Sequence, residues 1–524
     1  MKAQLVGKNK KEAWQNQHAG FATLEILIAF TVLILCMSAV IMVSFGNQSI
    51  AVDSQIANES IAKAQATLEK ARADSRSDFA LVNPSTTTET SGPLTFTKNL
   101  DVQTSATDPS LDLWTKRVTS TVTWQNAGRS FSTIFTTLLT NKEGALGGDT
   151  CSSVLSGDWA HPQIASYEFG KDLLVPSDTS SGFPVGDIDV DNGILYVVVN
   201  NSNGNNNPNF FKFDISNPLV KPVFLSSTDN NPSVKAGINA VKVFEDYAFL
   251  ASANGANYST CLSSLSCSQL HVIDSTTMSV VSRLKIPGVT GTSGQGIGNA
   301  IFYKDGIIYL GLSKTLSGPE FVIIDVGGGG VGGSPTNPVY MSGLSIGNGV
   351  NSIHVKDDYA YVASPNDQEL KVVNISNPLT PYQVGQFNAP GGGGNNGNGK
   401  TIAMVGDILY FGRTLLTGNE FYILNKSNPE TNLPILGSRD VQNTSGNNTS
   451  INGIVIRDYL IFLLTNDNFQ VLKRDSAYGL TEYATPIATP GGSGTTIDCE
   501  GNYIYFASVP TNDKGYIAIA KPGS

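Results

Sequence analysis

The sequence predicts a long N-terminal α-helix with a small antiparallel sheet, followed by an all-β propeller of seven blades. Three observations predict it. An apolar run without proline extends from Phe21 to Phe45. Val118, Ser120, Val122 and Trp124 alternate with Thr119, Thr121 and Thr123, which is the period of a strand. Beyond residue 163, an aliphatic residue is followed eight positions later by an aromatic one, seven times over. At 524 residues the chain exceeds one ordinary domain, so two or three are expected.

Residues 1–20 form a basic leader with four Lys and one Glu, which fits a cytoplasmic N-terminus. A secretory signal has its small-residue cleavage site after the apolar segment. Here Gly20 precedes that segment, so cleavage between Gly20 and Phe21 would leave the hydrophobic helix on the mature protein. Glu25 puts a carboxylate near the start of this helix, where an ionisable group is costly and needs a partner. The expected partner is the freed α-amino group of Phe21 on a neighbouring copy. At ~1.5 Å per residue, the run to Phe45 is long enough to cross a bilayer.

Gly20, Phe21, then Thr23-Leu24-Glu25 and the aliphatic run resemble the class III signal of type IV pilins and type II secretion pseudopilins. The resemblance implies cleavage after Gly20, N-methylation of Phe21, and filament assembly through the helix and Glu25. It implies other pilin subunits, a prepilin peptidase/methyltransferase and the inner membrane as partners. It further implies a single-pass membrane protein, N-terminus cytoplasmic, that passes into an extracellular pilus or pseudopilus.

Ile50, Ala57, Ile61, Ala64, Leu68 and Ala71 continue the helix at 3–4 spacing, with Asp53, Glu59, Lys63 and Lys70 on a solvated face. The helix is therefore placed at 21–75 and a small pilin-like sheet at 76–140. Leu94 to Val102 reads as an early strand. Asn126-Ala127-Gly128 turns the alternating strand back into a return from Phe131 to Leu139. Residues 141–162, with Gly144, Gly147 and Gly148, form a linker.

Residues 163–524 are repetitive. The marker pairs are Ile188/Tyr196, Val241/Phe249, Ile301/Tyr309, Ile353/Tyr361, Ile402/Tyr410, Ile454/Phe462 and Ile497/Tyr505. Tight polar turns such as Asp191-Asn192-Gly193 separate the members, and the 43–60-residue repeat length fits a four-stranded blade. The stretch Val373-Asn374-Ile375-Ser376-Asn377-Pro378 and onward to Val384-Gly385 resembles the LVIVD-type repeat of bacterial surface propellers. The seventh repeat has at most three strands before Ser524, so Gln163–Phe169 is expected to supply its fourth and close the ring. The loops at Asn201–Asn209, Ala253–Ser268, Gly288–Gly298, Pro390–Gly399 and Val441–Ser450 are long and share one face. That face is expected to point away from the helix and to bind an unknown surface ligand.

Candidate chemistry is sparse. His161, His271 and His354 fall on different segments and suggest neither a catalytic triad nor a metal cluster. Asp187-x-Asp189-x-Asp191-Asn192-Gly193 superficially resembles a calcium loop, but position 198 is Val198 rather than the bidentate Glu. It reads as an exposed-edge alternation entering a turn. Asn239, Asn299, Asn351 and Asn452 occupy one repeat column at the channel mouth, as backbone-bonding amides or as a ring lining a ligand pocket. Cys261 and Cys267 are expected to pair, and Cys36 to be inert. Cys151 and Cys499 either clasp the ring or leave Cys499 as a buried thiol in a core column. No cofactor, metal or catalytic residue is expected.

The net charge of −10, or −13 once the leader's net +3 is removed, argues against nucleic acid. The function expected is a minor pilin presenting a propeller for adhesion at or near a filament tip. The alternative is a subunit that primes or caps a pilus or secretion pseudopilus, its propeller docking other proteins; an enzyme is the least supported.

Overall fold

The computed structural model describes residues 6–523 apart from 78–81, 105–106, 108–110, 112–114, 127, 141–150, 152–154, 175–181, 201–207, 230–236, 254–267, 293, 366–367, 391–396, 416–417, 431–432, 444 and 510–513, with backbone alone at 6–24, 45–51 and 415. The chain divides into two compact units, Met1–Asn141 and Lys142–Ser524.

The first unit begins with helix α1 (Val6–Ser77), which no proline interrupts. From Glu25 to Ser44 its mean hydropathy is 3.0 and none of its side chains is buried. Further along, Ile56, Ser60, Ala64, Leu68 and Ala71 form a buried stripe at 3–4 spacing. The expected stripe was rotated slightly: Ile61 is 36% exposed, and Ile56 takes its place because it lies on the line of Ala64 and Leu68. Lys63, expected in solvent, has a side chain 13% exposed between Glu59 of its own helix and Glu89 of the sheet, and the pair with Glu89 ties the helix to the sheet.

That sheet is antiparallel, in the order β1 (Ser85–Ser91), β2 (Leu94–Gln103), β3 (Thr115–Asn126) and β4 (Arg129–Thr140). The period-two pattern of β3 decides its facing: Val118, Ser120, Val122 and Trp124 are buried. Phe96, Leu100 and Leu139 join them in two apolar clusters against the helix stripe. Strand β1, all Ser, Thr and Glu, is exposed and has no apolar period to announce it.

Among the described residues, the second unit contains seven four-stranded antiparallel sheets, here I to VII, in a β-propeller arrangement. Their first strands are Val185–Asp191, Ile238–Phe244, Gly298–Lys304, Ser352–Lys356, Gly397–Val405, Ile451–Arg457 and Ser493–Glu500. Each first strand neighbours the next, and that of sheet VII neighbours that of sheet I, so the ring closes. Each marker pair spans a first hairpin, whose turn has two residues. The first of them has φ between +51° and +58° in all seven: Asn192, Glu245, Asp305, Asp357, Gly406, Asp458 and Gly501. Apolar clusters fill the gaps between sheets, as where Val198 and Phe210 of sheet I meet Val241, Val243 and Leu250 of sheet II.

Sheet VII takes its fourth strand from the start of the unit. Strand β5 (Asp158–Glu168) pairs with Tyr516–Gly523, with Ala165 opposite Ile519. The linker expected over 141–162 therefore stops short of Asp158. Trp159 is 2% exposed and meets Phe462 edge-on at 4.8 Å, which draws this stretch into the sheet, and Pro162 is tolerated because β5 is outermost. After Glu168 the chain leaves the sheet in one wide turn, and Phe169 packs among Phe183, Phe211 and Phe213.

Candidate functional site

The first strands surround a cavity of about 340 Å³ on the ring axis. One position near the start of each first strand lines it: Gly186, Asn239, Asn299, Asn351, Lys400, Asn452 and Thr495. The four asparagines share a task. Each donates Nδ2–H to a carbonyl of the next sheet: Asn239 to Gly298 (2.8 Å), Asn299 to Val350 (2.6 Å), Asn351 to Gly399 (2.7 Å) and Asn452 to Gly494 (2.7 Å). The partner is a carbonyl, so the amide nitrogen must face it. Sheet I has Gly186 here, where a Cβ would lie 2.5 Å from the Ile238 carbonyl.

Of the three remaining junctions, the two that flank sheet I are stitched by acids. Asp187 accepts from Val241 N–H and the Thr496 hydroxyl, Asp189 from Val243 N–H and Lys242 Nζ (2.6 Å). Across the closing junction, Asp498 accepts from Val190 N–H and Glu500 from Gly193 N–H. The exposed alternation expected at Asp187–Asp191 is thus corrected, since Asp189 is 3% exposed and its oxygens hold sheet II. The signal was invisible in sequence because the acids bind residues in other repeats.

Burial in the cavity wall pushes the Asp187 carboxyl up to about 6, even though its hydrogen bonds favour the ionised form. Its unfolded value is 3.8, so folding takes up a proton between the two. The contribution of this group to stability is greatest below about 4, declines as pH rises towards 6, and is level above. Asp187→Asn is expected to flatten this part of the wild-type profile. Urea midpoints at pH 4, 5, 6 and 7 measure it, and an unchanged wild-type slope in the variant would refute the assignment.

The histidines do not converge. His161 lies on β5, exposed, with Nδ1 2.6 Å from Asp158. His271 is fully buried in sheet II, and burial together with the Arg283 charge pushes it down to about 3. His354 lines the cavity against Phe302, ring centres 4.8 Å apart. Burial and a field of lysines push it down to about 3, so it is neutral at physiological pH.

A second column was not legible at all. Gln269, Glu320, Glu369 and Glu420 immediately precede the third strands of sheets II to V and are buried. Each accepts a backbone N–H two residues beyond its own sheet's fourth strand: Ile286, Ile346, Ala389 and Val441. Glu369 also pairs with Arg413, 0% exposed, at 2.9 Å.

Cys151 and Cys499 are joined by a disulfide, Cα atoms 5.3 Å apart and 348 residues apart in sequence. Cys151, Asp498 and Cys499 are the one metal-type cluster among the described residues, and the disulfide consumes two of its three ligands. Cys261 and Cys267 lie outside the described residues, as do the side chains of Gly20 and Phe21 on α1. Glu25 is exposed at the start of the apolar span, and Cys36 within it is free. Much of the long-loop set also lies outside the described residues.

Residues 347–389 match the LVIVD repeat family, and they contain the stretch from Val373 to Gly385. No curated protein matches the chain. Solved structures similar to it include the β-propeller domain of Cps50 (Swd1) from Myceliophteria thermophila (10% identity, TM-score 0.43, covering 66% of this chain and 97% of that one). A quinonprotein alcohol dehydrogenase-like protein from Bacteroides thetaiotaomicron is 12% identical (TM-score 0.40, 72% and 84%). Sqt1 from Saccharomyces cerevisiae is 9% identical (TM-score 0.40, 68% and 84%).

Proposed function

We propose that the chain is a minor type IV pilin whose second unit, a seven-bladed propeller, is a binding head for adhesion at or near a filament tip. The observation that carries this reading is the wholly exposed apolar span Glu25–Ser44 that begins five residues after Gly20, on a helix whose second half is packed on its own small sheet. Such a span needs a bilayer or other helices around it. Seven sheets that close on themselves, with β5 completing the last, suit a head that needs no neighbour to cover an edge. A head of this bulk on every subunit would crowd a filament, which favours a sparse or terminal position. No catalytic step is part of the reading, because His161, His271 and His354 sit on separate elements.

The test compares cells making the full chain with cells whose copy stops after residue 145, counting surface filaments and adherent cells. Normal filaments with at least tenfold fewer adherent cells are expected. A second reading, assembly of a pilus or type II secretion pseudopilus, is favoured by the exposed Ile134 (60%) and Leu138 (57%) on the edge strand β4. Lost filaments would support that reading. Unchanged adhesion would refute the adhesive one.

A further inference from the structure

The axial cavity combines two chemistries that call for one kind of ligand. The first is a set of fixed acceptors. Each ring asparagine has its nitrogen engaged with the next sheet, which holds the amide in place. Asn239 Oδ1 receives Asn200 Nδ2 at 2.7 Å. The oxygens of Asn299, Asn351 and Asn452 receive no donor among the described residues. An amide oxygen only accepts, so these three positions call for hydroxyl donors.

The second is a single free cation. Lys400 takes the ring position between Asn351 and Asn452 and has no partner among the described residues. The other charges on the cavity wall are already matched. Lys242 is paired with Asp189, and the oxygens of Asp187 are occupied by Thr496, Val241 and Ile188. His354 is neutral. An ammonium flanked by amides, in a confined and partly desolvated space, favours a carboxylate over water. The Thr495 hydroxyl, buried without a partner, adds a further polar group on the same ring.

The geometry points to a site for a polyhydroxylated carboxylate, of the uronic-acid class, with its carboxylate on Lys400 and its hydroxyls on the Asn299, Asn351 and Asn452 oxygens. A cavity of about 340 Å³ lies within the usual size range of small-molecule sites. Each half of the site selects against a different impostor. A neutral hexose leaves the ammonium unpaired, and a simple carboxylate leaves the amide oxygens unfilled. The ring positions stand at the starts of the first strands, on the face where the long connections enter, so the site would be reached from the face proposed for adhesion. It rests on that reading for its biological use but not for its chemistry.

The test is calorimetric titration of the full-length protein in detergent with D-glucuronate, D-glucose and acetate, and with a disaccharide that ends in glucuronate. Saturable glucuronate binding is expected, with glucose and acetate at least tenfold weaker. Lys400→Gln should weaken glucuronate by at least tenfold, and Lys400→Arg should restore it to within threefold of wild type. Lys400 holds no structural bond among the described residues, so the melting temperature of both variants should be unchanged. Disaccharide binding equal to that of the monosaccharide would assign the site to polymer ends, and binding of the monosaccharide alone to a free sugar acid. Absent glucuronate binding, equal binding of glucose, or indifference to Lys400→Gln would each overturn the site. Glucuronate binding with adhesion unaltered by loss of the head would retain the site and remove the adhesive reading; the reverse result would remove the site alone.

Discussion

Pulled from residues 142 and 524, the oxidised second unit should release only about 120 Å of chain, and the reduced one about 1,200 Å more, at ~3.5 Å per residue. The reason is the Cys151–Cys499 disulfide, which encloses 348 residues. Tension arriving from the N-terminal side passes from Cys151 straight to the first strand of sheet VII. It bypasses the β5 ladder, which would otherwise be peeled first. The same bond restricts the unfolded chain, and the loop-closure model puts that effect at about 6 kcal/mol for so long a loop, of which native-state strain and residual denatured structure leave less. Replacing both cysteines by Ala should therefore cost about 3–5 kcal/mol in urea unfolding. Equal extension lengths with and without reductant would show that the two thiols are not joined.

Glu369→Ala should destabilise the second unit by about 3–5 kcal/mol, because it leaves a buried guanidinium without its counter-charge. The Arg413 side chain is 0% exposed and that of Glu369 4%. Glu369 also accepts the Ala389 N–H, so its loss leaves a buried donor unmet as well. The chain makes room for the pair with Gly397, where any Cβ would collide with both side chains. The double variant Glu369→Leu/Arg413→Met removes both charges together and should recover more than half of the loss. A single-variant cost under 1 kcal/mol, or strictly additive costs in the double variant, would contradict this account. Urea titrations monitored by tryptophan fluorescence, with Trp159 in the core, measure both.

Sequence periodicity reached some of these features and not others. The aliphatic–aromatic markers were legible because both members lie on one two-residue hairpin. Ile402 sits opposite Phe411 and Ala403 opposite Tyr410, a separation that the turn sets. The asparagine column was legible for the same reason, since it keeps a constant distance from the marker. Its partners were not, because each amide bonds to a carbonyl 42–59 residues away. The acids at the closing junction lie 307–309 residues from the groups they hold. Local alternation could only suggest that Asp187 and Asp189 edge a strand. The buried column of Gln269, Glu320, Glu369 and Glu420 escaped because loops of unequal length separate it from the marker. In the first unit, strand β1 has Thr and Ser on both faces and gives no period to read.

Because β5 precedes the other strands of the second unit and Tyr516–Gly523 follows them, the closing strand emerges long before its partner exists. At roughly 5–20 residues per second of synthesis, the 348 residues between the cysteines take about 20–70 seconds. For that interval the β5 edge and the Cys151 thiol both wait without the partners they have in the closed ring. Six sheets can assemble in turn, but sheet VII lacks its closing pair until Tyr516–Gly523 has been made. A chain cut short between the two cysteines would therefore still display an open strand and a free sulfur.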